Sequence, residues 1–116
     1  MRRLLLALPL IAGLPVQADS WNFDDKIAVS QNIEAGVFQH LDSSGRKNIA
    51  VSGKTLAVVW EDNRSGASQT YVAFKKLEAN EFSKEQRIST GKSAFTPAIL
   101  ALGGDRFLAG WEQDGA

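Results

Sequence analysis

Carboxylates and arginines carry most of the chemistry available to this chain. Glu61-Asp62 closes an apolar stretch, and Arg64 follows in a polar loop over residues 62–68. Glu112 and Asp114 stand at a similar place further along. Grouped carboxylates of this kind could bind an ion or form an acidic rim; more commonly they end strands and accept hydrogen bonds from turn amides. Calcium draws oxygen ligands from several positions, and no EF-hand-type spacing is present, so no metal site is expected. His40 is the only histidine, and no Ser or Cys partner motif accompanies it. The chain has no cysteine, which excludes a disulfide framework and a zinc–thiolate site. No cofactor is expected.

The elements that must position these residues announce themselves as a repeat. Ile49-Ala-Val-Ser-Gly-Lys-Thr-Leu-Ala-Val-Val-Trp-Glu61 aligns with Leu100-Ala-Leu-Gly-Gly-Asp-Arg-Phe-Leu-Ala-Gly-Trp-Glu112 at an offset of 51 residues. Ala50, Gly53, Trp60 and Glu61 match Ala101, Gly104, Trp111 and Glu112. Each copy reads as a strand, a tight turn and a second strand. Residues 48–52 form the first strand, and Gly53-Lys54 forms a two-residue turn, because glycine adopts positive φ without a Cβ clash. Residues 55–61 are rich in β-favouring side chains and apolar on both faces: Leu56, Val58 and Trp60 on one, Ala57 and Val59 on the other. Such a strand belongs inside a layered structure. Residues 69–75 read as a third strand, 77–84 as a return, and 86–89 as a short outer strand. Thr96-Pro97 opens the second copy, and residues 26–30 read as a lone strand before the first. No helix is supported. The recurrence of Trp60 and Trp111 at one repeat position argues for a packing role.

Charge and the N-terminal region bound the setting. Thirteen basic residues balance thirteen acidic ones, so no basic patch exists and a nucleic-acid partner is not expected. Arg2 and Arg3 precede an apolar run over residues 4–16, and Val16-Gln17-Ala18 offers small residues where a signal peptidase reads. Residues 1–18 therefore read as a signal peptide, and 19–116 as an exported chain in the periplasm or outside the cell. The run is shorter than the ~20 apolar residues of a membrane-spanning helix, so no membrane association is expected after cleavage.

Four short strands in 51 residues match the size of one β-propeller blade. Gly45-Arg46, then Ile49-Ala50-Val51, then the segment from Gly53 through Trp60-Glu61-Asp62-Asn63-Arg64 resembles the opening blade of the sialidase-type propellers. Thr96-Pro97-Ala98-Ile99 resembles the start of the following blade. The resemblance implies an all-β fold: a four-stranded antiparallel blade over about residues 46–90 and part of a second over about 96–116. It also implies exo-cleavage of a terminal acidic sugar, whose carboxylate the family holds with three arginines. The family's nucleophile is a tyrosine activated by a glutamate, and an aspartic acid in an early loop serves as acid/base. Arg46 falls at the first of those arginines, followed here by Lys47-Asn48. Arg64 and Glu61 lie in the loop region of the ligand, and Asp62 is the carboxyl group nearest the acid/base position. The nucleophile, its glutamate and the other arginines belong to later blades, and Tyr71 lies in a middle strand. The expectation is a sialidase-like module without a full catalytic set, taking an acidic sugar or glycan.

The alternative is a non-catalytic protein- or glycan-binding β module. The loop over residues 62–68 separates the two: a pair of arginines lining a pocket favours the sugar site, a flat apolar rim favours interaction. Incomplete blades also expose strand edges, which invite self-association.

Overall fold

The structure, a computed structural model, describes Gly13, residues 20–41 and residues 47–115. The signal-peptide region apart from Gly13, and Arg46, lie outside the described residues. The chain is all-β, with seven strands in two antiparallel sheets and no helix among the described residues. The strands are β1 (Gln39–His40), β2 (Ile49–Ser52), β3 (Thr55–Asp62), β4 (Gln69–Lys76), β5 (Gln86–Arg87), β6 (Ser93–Gly103) and β7 (Arg106–Asp114).

The first sheet is built around β3. Its β-branched and aromatic side chains suit a pleated ladder, and it pairs with β4 residue for residue from Thr55↔Lys76 to Asp62↔Gln69. Both faces of β3 are buried, as the sequence predicts. Ala57 and Val59 form one cluster with Val72 and Ile99. Val58 and Trp60 form the other with Tyr71 and Ala73.

The free side of β3 is shared. β2 covers it from Thr55 to Val58, and β1 covers its far end through Gln39↔Asp62 and His40↔Glu61. A two-residue polar strand carries no alternation, so β1 left no mark in the sequence. The strand expected over residues 26–30 does not form. That segment is instead bound through side chains: Val29 packs on the Trp60 cluster, and Ser30 donates to Glu85. β5 is also shorter than residues 86–89. Beyond it, Ile88 N–H still reaches Thr70 O, and Ser89 Oγ accepts from Thr70 N–H at 2.8 Å and donates to Gln69 Oε1.

The second copy of the repeat is the β6–β7 hairpin, which packs on the Ala57/Val59 face of the first sheet. Ile99 enters that core, and Phe107 and Ala109 lie against it. Strand β6 starts at Ser93, three residues before Thr96-Pro97, and is broken there by an irregularity in register between Phe95 and Ala98. Thr96 sits at φ 54°. Proline has no N–H to give a ladder, so Pro97 is accommodated where the pairing is already interrupted.

The two turns occupy equivalent positions in the repeat. Gly53 has φ 57°, while Gly104 and Asp105 have φ 59° and 61°. One positive φ suits a II′ turn and two suit an I′ turn, the forms that match strand twist. The turns also touch. Asp105 Oδ1 accepts from Lys54 N–H and Thr55 Oγ, both at 2.9 Å, and Asp105 Oδ2 meets Lys76 Nζ at 3.1 Å. Hydrogen bonds from Lys76, Lys54 and Thr55 hold the Asp105 carboxyl below its usual range.

Candidate functional site

The end of β3 and the loop after it bring together Trp60, Asp62, Arg64 and Tyr71, with Glu85 and Ser30 arriving from distant segments. Asp62 faces inward because strand alternation places it on the side of Trp60. Its carboxylate accepts from Trp60 Nε1 at 3.0 Å and from the Arg64 main-chain N–H at 3.1 Å. Arg64 Nε lies 3.0 and 2.9 Å from the two Asp62 oxygens, and Arg64 Nη2 donates to Oδ2 as well. A carboxylate has about four acceptor sites, so Asp62 is saturated.

The other edge of the guanidinium is equally occupied. Arg64 Nη1 donates to Glu85 Oε1 at 2.8 Å, and Nη2 donates to Ser30 Oγ at 3.2 Å. Ser30 Oγ and Gln31 N–H donate to Glu85. Beneath this network, Arg64 Cζ stands 4.3 Å over the Tyr71 ring, which stacks on Trp60 at 6.3 Å. Burial pushes the Glu85 carboxyl up, but the Arg64 hydrogen bond, joined by those of Ser30 and Gln31, outweighs it and holds the pKa at about 2. For Arg64, burial pulls the pKa down, while Asp62 and Glu85 reverse this and raise it above its ordinary value.

Glu61 points to the other side. Its Oε2 accepts from Thr96 N–H at 2.6 Å, and its Oε1 lies 3.1 Å from His40 Nδ1. Glu61 thereby supports the irregular Thr96-Pro97 step of β6.

Of the residues singled out in the sequence, the fold joins Asp62 and Arg64, turns Glu61 away from them, and leaves Arg46 outside the described residues. Arg64 lines a shallow cleft with Gln31, Asn32, Glu34 and Lys84, but its donors face Asp62, Glu85 and Ser30. A second cleft of about 370 Å³ has neutral walls that include Val29, Ser30, Gln39, Leu41 and Trp60. Glu112 is exposed, and Asp114 Oδ2 makes a 3.4 Å contact with Ser93 Oγ. No group of three or more His, Cys, Asp or Glu among the described residues could hold a metal ion. No described helix is long and apolar enough to cross a membrane.

Sequence reasoning missed Glu85 and Asp105. Glu85 stands 21 residues from Arg64 in a polar return, where no local pattern marks an inward carboxylate. Asp105 was recognisable as a turn residue at the repeat position of Lys54, but its role depends on the two turns meeting. The repeat does persist in chemical detail: Trp60 Nε1 donates to Asp62, and Trp111 Nε1 donates to Gln113 Oε1 at 3.1 Å.

No protein-family model, curated protein or solved structure matches this chain.

Proposed function

We propose that the chain is an exported, sialidase-like β-propeller module that binds a glycan or protein surface without cleaving a glycoside. The observation that carries this reading is the stacking of the two repeat copies. Residues 49–61 and 100–112 form equivalent hairpins, and the second packs on the inner face of the first. Face-to-face stacking of repeated antiparallel units is how a propeller buries its core.

A binding role is supported over hydrolysis by the state of the polar groups. An arginine that recognises a sugar carboxylate must offer a free fork. Arg64 is already committed on both edges to Asp62, Ser30 and Glu85. An acid/base must reach the glycosidic oxygen and exchange a proton with it. Asp62 is buried and its acceptor sites are filled.

The test pairs two measurements on the purified chain. Titration with sialylated and neutral oligosaccharides is expected to give binding, and a fluorogenic sialoside is expected to remain intact. Release of sialic acid, lost on Asp62→Asn, would overturn the non-catalytic reading. N-terminal sequencing of secreted protein beginning at Asp19 checks the export step.

A further inference from the structure

The geometry points to β7 as a self-pairing edge: two copies of this chain join β7 to β7 in antiparallel register, centred on Gly110. This goes beyond the binding role proposed above and is independent of it.

The hairpin has two outer edges, and they differ. The edge of β6 is occupied. Ala94 N–H reaches Ser68 O, Thr96 N–H reaches Glu61, Ile99 N–H reaches Lys47 O at 2.7 Å, and Pro97 has no N–H. The edge of β7 pairs with nothing among the described residues, although the strand runs for nine residues. Its repeat equivalent, β3, carries β4 along the whole of that edge. Exposed edges in soluble proteins are usually short or interrupted by lysine or proline. β1 and β5 are two residues long, whereas β7 is long and contains neither lysine nor proline.

The free groups of β7 define the register. Ile99 turns its N–H toward Lys47, so Ile99↔Ala109 is a non-hydrogen-bonded pair, and Ala109 turns its own N–H and C=O to the open edge. Phe107, Trp111 and Gln113 do the same by alternation. A two-fold axis at Gly110 sets Ala109 opposite Trp111 of the second copy and Phe107 opposite Gln113, which brings outward groups to outward groups. The same register sets Arg106 opposite Asp114 at both ends of the ribbon. Both side chains are exposed and otherwise make only 3.3–3.4 Å contacts, to Gly103 O and Ser93 Oγ.

Gly110 offers a direct probe. A Cβ there meets nothing within 4 Å, and its φ is not in the left-handed region. The chain has no cysteine of its own. Facing Cα atoms of a non-hydrogen-bonded pair lie about 4.5 Å apart, within disulfide reach.

The experiment follows the full chain by sedimentation equilibrium, together with Gly110→Cys and Leu100→Cys under mild oxidation. A reversible dimer is expected, with Gly110→Cys forming a disulfide-linked dimer and Leu100→Cys remaining largely uncrosslinked. Arg106→Asp should raise the dissociation constant about tenfold, and Arg106→Asp with Asp114→Arg should restore it to within about threefold. Circular dichroism checks that each variant keeps the parent fold. A monomer at every concentration overturns the proposal. So does crosslinking through Leu100→Cys in place of Gly110→Cys, or a double variant as weak as the single one.

Discussion

Replacing Arg64 with alanine should unfold this protein more readily than any loss of a surface ion pair would. The guanidinium is the counter-charge of Asp62, whose side chain is fully buried, and of Glu85, whose side chain is 6% exposed. Removing one partner of a buried ion pair leaves an uncompensated charge and costs about 3–5 kcal/mol. Against the opposing effect of burial, the Arg64 hydrogen bond holds the Glu85 pKa at about 2, which points in the same direction as that cost of about 3–5 kcal/mol. Against a typical total of about 5–15 kcal/mol, this is a large share. The melting temperature should fall by roughly 12 °C or more, at about 4–8 °C per kcal/mol for a domain of this size.

The pH dependence separates this mechanism from a simple packing loss. In the parent, the folded pKa of Glu85 lies below its unfolded value. Its contribution is therefore complete above about 4.5 and is lost as the pH falls toward about 2. In Arg64→Ala, burial acts on the Glu85 carboxyl without its counter-charge and favours the neutral form. The deficit of the variant relative to the parent should be largest near neutral pH and shrink as the solution is acidified through the carboxylate range. Urea denaturation followed by tryptophan fluorescence at several pH values measures both quantities. A deficit below about 1 kcal/mol at neutral pH, or one that does not change on acidification, would refute the reasoning.

Gly53→Ala should destabilise by more than the ~1–2 kcal/mol expected for a left-handed residue, because the new Cβ would lie 2.8 Å from Asp105 Oδ1. Gly104→Ala has the same kind of φ and open space around it, so it should show the backbone cost alone; equal losses by chemical denaturation would count against the turn-on-turn contact. Asp105→Ala should speed amide hydrogen exchange at Lys54 several-fold, and exchange at Lys54 unchanged from the parent would mean that the contact is absent in solution. Val59→Ala, at a fully buried position between the two sheets, should cost about 2–3 kcal/mol in equilibrium unfolding.

Much of this architecture was legible because its signals are local. Strand β3 carries apolar side chains at consecutive positions over 56–60, and only a strand covered on both sides accommodates them. The Gly53 and Gly104 turns needed no more than a residue that tolerates positive φ between two β-prone runs. The 51-residue offset marked Trp60 and Trp111 as equivalent, and both indoles donate to the side chain two residues on. The lone strand expected over residues 26–30 failed for a reason the segment does not contain. β1 and β2 already occupy the free side of β3, so the segment is held by Val29 and Ser30 and not by a ladder.

Composition, spacing and residue type determined by themselves that the chain is all-β, that it holds two related hairpins, and where acids and arginines fall along it. Only the tertiary structure decided what those acids and arginines do. Asp62 and Arg64 read as groups available to a ligand because their neighbours in sequence leave them free. In the fold, Glu85 and Ser30 arrive from 21 and 34 residues away and close the remaining edge of the guanidinium. Whether a charged group is free to bind or spent on the core depends on the partners that long-range packing brings within hydrogen-bond reach of it. That information lies in no single stretch of the chain.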